Sequence, residues 1–539
     1  MKSFKLSSNK IILLFTLYFV LVLNIGFWRS VLENAPISNS ANWLLLATMP
    51  LFIVAAMNVC LQILFWPKVN RVLFPLILVM AAGASYAVMT QGIYFNSDQI
   101  QNILQTNQTE ASAWISVKFI AWLLITGILP ALFYIVFVRV EANKHWFKGL
   151  LWRLASVAVS LGIILVLAAT SYQNYASFFR NNKGINHQII PVNFIGASFK
   201  TAYNYYDAHR PFEQIGLDAK RLTPQGAKKN LMVLVVGETT RAENWGLNAG
   251  APDTTPQLKQ MGDVINYPQV SSCGTSTAIS VPCMFSRMSR EEYNGNTAKH
   301  QENLLDMLQR AGLYTSWREN DSGCKEVCNR IKHIDMYQTI ADAATQCKGD
   351  LCYDTVLLDK LQQEIDAMPN DGIIVLHTNG SHGPAYFERY PPQLRKFTPT
   401  CDTNQIQDCD LTKLANTYNN TIVAIDDMLA KTIKLLKADD KVNSALWYFS
   451  DHGESLGEKG IFLHAAPYAI APSQQTHVPM IFWASPGFYS DRKLDEACMR
   501  QTAQQPKSHD NVFHSLLGIF DIGTQEYKKE LDMFALCRK

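Results

Sequence analysis

The chain has 539 residues, with 48 Lys and Arg set against 45 Asp and Glu. That length allows more than one domain, and the near balance of charge argues against bulk electrostatic capture of nucleic acid. Apolar residues concentrate in the first third, and the remainder has the composition of a water-soluble globular domain.

In chain order, five apolar stretches are long enough to span a bilayer, which takes about 20 residues each. They lie near 11–28, 43–65, 73–93, 119–138 and 151–171. Lys2, Lys5 and Lys10 precede the first, which could pass for a signal peptide. No convincing small-residue cleavage site follows closely, so it reads as a retained helix. Lys68 and Arg71 lie between the second and third stretches; Arg139, Lys144, Lys148 and Arg153 lie between the fourth and fifth. The alternate loops are poor in such residues: 29–42 holds Arg29 alone and 94–117 holds none. The positive-inside rule therefore places the N-terminus in the cytoplasm and everything after about residue 171 outside it. Residues 1–171 are expected to form a five-helix transmembrane domain.

Residues 172–230 read as a connector rich in aromatics, among them Tyr172, Tyr175, Phe178, Phe179, Phe194, Phe199, Tyr203, Tyr205 and Tyr206. Ile195, Phe199, Tyr203 and Tyr206 share a helical face. Such residues suit a lipid headgroup layer; they suit equally the first packing contacts of a soluble domain.

From 231 to 539, apolar runs at 231–236, 372–376, 445–449 and 478–483 have the length and continuity of buried central strands. Segments 301–312, 353–367 and 411–437 read as helices. The alternation predicts a layered α/β domain. Ten of the eleven cysteines follow residue 270: Cys273, Cys283, Cys324, Cys328, Cys347, Cys352, Cys401, Cys409, Cys498 and Cys537. Their even number suggests disulfides and an oxidising compartment, in agreement with the charge-based topology. The first eight fall into close sequential pairs, which makes local bridges the simplest pairing. A zinc site on Cys324-x3-Cys328 and Cys347-x4-Cys352 is the competing reading, weakened by the absence of tight zinc-ribbon spacing.

Three polar clusters stand out. GETTRAEN (237–244) and SDHGESLGE (450–458) directly follow buried-strand candidates, and SCGTSTAISVPCMF occupies 272–285. Sites in open α/β sheets form outside the carboxyl ends of the strands. A carboxylate, hydroxyls and an Asp-His pair make the ligand set of a divalent metal, with zinc favoured by imidazole plus carboxylate. Singly, each signal is ordinary: a Glu after a strand is commonly a cap, and Thr in a Gly/Ser/Thr stretch is commonly a turn residue. Their combination at strand ends is what points to chemistry.

These clusters, with GSHGPAY (380–386) and the longer SDHGESLGEKGIFLH (450–464), resemble the motifs of the lipid A phosphoethanolamine transferases, including the mobile colistin-resistance enzymes, of the alkaline phosphatase/sulfatase superfamily. The resemblance covers essentially the whole chain. It implies five spans followed by an α/β/α sandwich, in the Gram-negative inner membrane with the catalytic domain in the periplasm. It implies transfer of phosphoethanolamine from phosphatidylethanolamine to a lipid A phosphate, by a chain expected to act as a monomer. By the same resemblance Glu238, Thr277, Asp451 and His452 are metal ligands, with one zinc ion tightly held and a second allowed for, and Thr277 is also the nucleophile. His382 and His464 resemble a pair that contacts substrate phosphate or a second zinc. Asn102, Thr106 and Glu110 match lipid-binding positions, and their i, i+4, i+8 spacing would put them on one helical face. Ser322 and Lys325 of NDSGCK match two further substrate-binding positions. The implied bridges are 273–283, 324–328, 347–352, 401–409 and 498–537.

The chain departs from the family pattern at Ala465 and Glu326, where Gly is common, at Asn379, where an apolar residue is usual, and at His477. Glu326 beside Lys325 would either weaken anionic-lipid binding or point into solvent. His145, His187, His209, His300, His333, His509 and His514 show no ligand pattern. Three other functions compete: a phosphate or sulfate ester hydrolase, a glycerol-phosphate transferase of the lipoteichoic-acid type, and a receptor retaining an inactive phosphatase-like domain. Membrane spans argue against the first, disulfide usage against the second, and the intact ligand set against the third.

Overall fold

A computed structural model of the chain describes residues 4–66, 69–92, 95–105, 116–141, 146–182, 184–207, 210–336, 346–348, 351–404, 406–458 and 461–539. They divide into two compact units, 1–210 and 211–539. Among the described residues of the first, four helices are long and apolar enough to cross a membrane: Trp43–Leu64, Asn70–Thr90, Val117–Phe137 and Phe147–Tyr172. A fifth is formed if Ser8–Leu23 and Ile25–Asn34, which meet at 57°, are one broken span. The break has an identifiable cause. A π-helical turn, Phe19–Leu23, ends at Asn24, the kind of interruption that bends helices. The Asn24 side-chain amide donates to Ile190 O at 2.7 Å and accepts from Ile190 N at 2.8 Å, so a buried polar side chain ties the first span to the connector.

The connector aromatics fall into two sets. Phe178 and Phe194 are buried in the apolar cluster of the membrane helices. On the helix Val192–Asp207, Phe199, Tyr205 and Tyr206 are each more than 70% exposed.

The second unit is built on an eight-stranded mixed sheet. Its strands are β1 (Lys229–Gly237), β2 (Ile265–Ser271), β3 (Tyr314–Glu319), β4 (Lys332–Asp335), β5 (Gly372–His377), β6 (Val442–Ser450), β7 (His477–Ala484) and β8 (Lys507–Ser508). The spatial order is β8-β2-β7-β6-β1-β5-β3-β4. β6, β1, β5, β3 and β4 run parallel to one another, whereas β7 is antiparallel to both β6 and β2. Each face is covered by helices. Met232, Leu234 and Val236 of β1 enter one core with Phe513, Leu516 and Leu517 of the helix Asp510–Ile519. Leu231, Val233 and Val235 enter the other with Tyr418, Ile422 and Ile425 of the helix Leu411–Ala438. Burial on both faces is why β1 reads as an unbroken apolar run rather than an alternating one. This is the expected α/β/α sandwich.

The polar strand β3 is held by an ion pair. Arg318 meets Glu364 at 2.7 Å, with both side chains under 5% exposed. Glu364 also accepts from Ser316 Oγ at 2.6 Å and Tyr314 OH at 2.7 Å. Burial pushes this carboxyl up, but the hydrogen bonds from Ser316, Tyr314, Arg318 and Lys332 outweigh it and hold it at about 2. A depressed carboxyl contributes its stabilisation fully above the unfolded value of 4.5 and loses it as pH falls towards 2. Glu364→Gln leaves Arg318 uncompensated in the interior and is expected to cost about 3–5 kcal/mol at neutral pH. A urea unfolding series on the purified protein measures this; a loss under about 1 kcal/mol would remove the pair from the stability argument.

Five disulfides join Cys273 to Cys283, Cys324 to Cys328, Cys347 to Cys352, Cys401 to Cys409 and Cys498 to Cys537. Cys60, within the span Trp43–Leu64, is a free thiol. Protein denatured without reductant is therefore expected to present a single reactive thiol per chain, Cys60. Additional thiols in the alkylation mass spectrum would contradict the pairing.

Candidate active site

Four neighbouring strands deliver polar groups to one edge of the sheet. Glu238 follows β1, Asp451 follows β6, His377 ends β5 and Glu319 ends β3. The register sets Ser450 opposite Gly237, and His377 opposite both Val236 and Glu319. These are the carboxyl ends of parallel strands, where such sheets place their sites. Thr277 arrives from the other direction, as the first residue of the helix Thr277–Met284. The Cys273–Cys283 bridge closes the loop that carries it.

The Thr277 hydroxyl donates to Glu238 Oε2 at 2.9 Å and lies 3.4 Å from His452 Nε2. His452 Nε2 is 3.6 Å from Glu238 Oε1 and 3.3 Å from Asp451 Oδ2. His452 Nδ1 lies 2.8 Å from Gly453 O. Donation from Nδ1 to that carbonyl fixes the ring and leaves the Nε2 lone pair directed at the carboxylates. Asp451 Oδ1 accepts from the backbone N–H groups of Thr239 and His452, whereas Asp451 Oδ2 is buried without a hydrogen-bond partner. Glu238, Asp451 and His452 are each 0% exposed.

This arrangement is electrostatically incomplete as it stands. Burial, and then the charge of Asp451, raise the Glu238 carboxyl well above its usual range. Burial pushes Asp451 up to about 7. Two carboxylates sharing a dry site resist joint ionisation unless a cation joins them. Two carboxylates, one oriented imidazole and one hydroxyl are a donor set that fits a divalent metal, and the unpartnered Asp451 Oδ2 is an atom such an ion would satisfy.

Of the other anticipated residues, His464 and His382 stand beside this centre. The His464 ring centroid lies 4.5 Å from that of His452 and 5.5 Å from that of His382. His464 Nδ1 is 3.2 Å from Glu454 Oε1. Burial, and then neighbouring His464, push His382 down to about 4, so it is a neutral imidazole at pH 7. Its loop is anchored by half-buried Asp354, which accepts from Asn379 N at 2.7 Å and Gly380 N at 2.9 Å. The residue standing where an apolar one is usual thus contributes its backbone to this anchor. Gly380 is at φ +50, and a Cβ there would come 2.5 Å from Glu238 O, so glycine permits the close approach of this loop to the Glu238 strand end. Lys325 Nζ donates to Ser322 Oγ at 2.6 Å, and Ser322 Oγ donates to Asp321 Oδ2 at 2.9 Å. Asn102 lies on the helix Ser97–Gln105; Thr106 and Glu110 lie outside the described residues.

Asp321 and His377 were not anticipated. Together with Glu238 they form a second group whose ligand-capable atoms lie within 4.8 Å of one another, and it shares Glu238 with the first. Burial pulls the His377 imidazolium down, but Glu319, 3.0 Å from Nδ1, outweighs it and raises the ring to about 9. The available signal was the histidine closing the apolar run GIIVLH. His509 and His514 are buried core histidines. His509 Nδ1 accepts from Cys273 N at 3.1 Å and His514 Nδ1 accepts from Lys528 N at 3.1 Å. Exposed His477 lies with Nε2 2.7 Å from Pro268 O, a link between β7 and β2.

Comparison with known proteins fits this geometry. Residues 230–522 match the sulfatase family, and residues 53–206 match the family described as phosphoethanolamine transferase EptA/EptB. The chain is 42% identical over 532 residues to phosphoethanolamine transferase EptA of Escherichia coli K12, covering 98% of this chain and 96% of that protein. It is 36% identical over 516 residues to phosphatidylethanolamine transferase Mcr-1 of Escherichia coli, with 94% and 93% covered. Among solved structures it resembles the integral membrane lipooligosaccharide phosphoethanolamine transferase A of Neisseria meningitidis, at TM-score 0.66 and 44% identity, over 99% of this chain and 100% of that one. On the match along nearly its whole length, the chain belongs to the phosphoethanolamine transferase family of the alkaline phosphatase/sulfatase superfamily.

Proposed function

We propose that the protein is a zinc-dependent transferase that moves phosphoethanolamine from phosphatidylethanolamine to a phosphate of lipid A through a covalent intermediate on Thr277. The observation that carries this reading is the Thr277 hydroxyl, 2.9 Å from one buried carboxylate and 3.4 Å from the His452 ring at the strand ends. Glu238, Thr277, Asp451 and His452 would hold the ion. A bound zinc ion supplies positive charge that lowers the pKa of a coordinated hydroxyl.

The chain's own groups do the rest. Glu238 Oε2 accepts the Thr277 hydrogen bond, which orients the attacking oxygen and provides the nearest acceptor for its proton. Thr277 Oγ bonds to the donor phosphorus as the phosphorus–oxygen bond to diacylglycerol breaks, and the released alkoxide takes up a proton. A lipid A phosphate oxygen then displaces Thr277, which regains its proton. Two transfers through one enzyme-bound species give ping-pong kinetics. Lys325 offsets charge on the phosphoryl oxygens, and the imidazoles of His382 and His464 donate hydrogen bonds to them. Ser322 steadies Lys325, and Asn102, Thr106 and Glu110 position the donor lipid.

The division of labour is a five-helix membrane domain over 1–171, an interfacial connector over 172–230 and a periplasmic catalytic domain over 231–539, with a cytoplasmic N-terminus and action as a monomer. Added ethanolamine brings an amine that offsets phosphate charge, so cationic polymyxins bind the modified surface less well. Lipid A from a sensitive Gram-negative host expressing this protein is expected to carry phosphoethanolamine by mass spectrometry, and the host to tolerate more polymyxin. Unmodified lipid A in cells that hold the folded protein would overturn the proposal.

A further inference from the structure

Beside the helix that begins with Thr277 lies a cavity of about 170 Å³. A single water needs about 10–15 Å³ on this measure, so a phosphate-bearing headgroup has room. Ala278, the residue after Thr277, lines it together with Tyr293, Lys299, Lys325, Glu326 and Arg330. Most of its charges are held by partners of their own. Arg330 makes two hydrogen bonds to Asp306, at 2.9 and 2.7 Å. Lys325 is held by Ser322. Lys299 and Glu326 pair with each other, at 3.6 Å and with both side chains about half exposed.

The pair joins separate segments. Lys299 ends the helix Gly295–Lys299, and Glu326 follows Lys325 in the cysteine-bridged turn. Lys325 and Glu326 are both left-handed, at φ 50 and φ 73. That backbone favours glycine, and a glutamate is held there at a conformational cost. The field of Glu326 also reaches the cavity lining: burial, and then Glu326, push the Tyr293 hydroxyl up to about 12.

We infer that Glu326, by pairing with Lys299 in the lining of this cavity, is a specificity-determining residue that weakens the site's hold on the phosphate of a lipid headgroup. The inference rests on the transfer reading above and deepens it. A phosphate oxyanion entering the cavity competes with Glu326 for Lys299 and is repelled by Glu326 itself. Glycine at this position would do neither. The same phosphate chemistry is carried by the donor phospholipid and by the lipid A acceptor.

The test is steady-state kinetics on the full-length protein in detergent, with phosphatidylethanolamine and lipid A varied in separate arms. Glu326→Gln removes the charge and keeps the shape. It is expected to lower KM for one of the two lipids about two- to fivefold, the range of a half-exposed ion pair, with the change falling on KM rather than kcat. The arm that responds identifies the lipid whose phosphate enters. In a Lys299→Ala background the gain should shrink to the part that comes from direct repulsion by Glu326, as a double-mutant cycle requires of coupled residues. Glu326→Gly should match Glu326→Gln in KM and raise the unfolding temperature. Glu496→Gln, which breaks a surface pair with Arg500, controls for net charge and should leave both KM values unaltered. Unchanged KM for both lipids in Glu326→Gln, or a gain of equal size without Lys299, would overturn the inference. Wild-type protein that forms no product at all would overturn the transfer reading instead.

Discussion

Thr277→Ala is expected to abolish lipid A modification and polymyxin tolerance together, with kcat falling at least ~10³-fold, as when an enzyme loses its nucleophile. The substitution removes the attacking oxygen and one of the four groups proposed to hold the ion. Thr277→Ser keeps a hydroxyl on the same helix terminus and should retain part of the activity. Geometry separates Thr277 from its neighbours. Thr275 Oγ1 donates to Ala466 O at 2.6 Å, so it is already committed to a backbone carbonyl. Thr275→Ala is therefore the control, expected to keep a substantial share of the rate. Peptide mass spectrometry on enzyme quenched with donor lipid alone should find phosphoethanolamine on Thr277. A modified Thr275 or Ser276 would reassign the nucleophile.

Removing the metal should have the next largest effect, and its pH dependence is a signature. About one zinc per purified chain is expected from a four-group site. With the metal removed, Asp451 is held at about 7 against 3.8 for an unburied aspartate, and Glu238 is raised as well. A raised carboxyl means that the folded state binds more protons than the unfolded one between those values. The stability of the metal-free protein therefore falls as pH rises from about 4 through 7. Metal binding needs the same carboxylates ionised, so its stabilisation grows over that interval. The gap in unfolding temperature between loaded and chelated protein should widen from pH 5 to pH 8, by the equivalent of a few kcal/mol. Equal gaps at both pH values, or full activity after exhaustive chelation, would refute the role given to this pair.

What could be read from the residues followed the type of burial. The runs LMVLVVG, GIIVLH and SALWYFS are sandwiched between two cores, so continuous hydrophobicity identified them. β3, YTSWRE, gave no such signal. Its Ser316, Arg318 and Glu319 are buried only because Glu364 and His377, 46 to 58 positions further on, supply their partners. β2 carries Pro268 and is paired through β7 and β8, and its alternation is weak. At the site, strand ends and motif resemblance gathered the group around Glu238 and Thr277. Asp321 and His377 needed the register of three strands to bring them to Glu238. The two departures from glycine acquire a physical meaning as well. Glu326 and Ala465 both have left-handed backbone, at φ 73 and φ 70, where a side chain is tolerated rather than preferred.

The five bridges bear on how the catalytic unit matures. Each joins a cysteine to the next one along the unit, with separations of 10, 4, 5, 8 and 39 residues. No loop is nested inside another. A polypeptide delivered to an oxidising compartment from its N-terminal side would present partners in native order, each pair complete before the following one emerges. Vectorial oxidation alone then gives the correct connectivity, with no shuffling of mispaired intermediates. Maturation should accordingly demand a thiol oxidant and tolerate the loss of a disulfide isomerase.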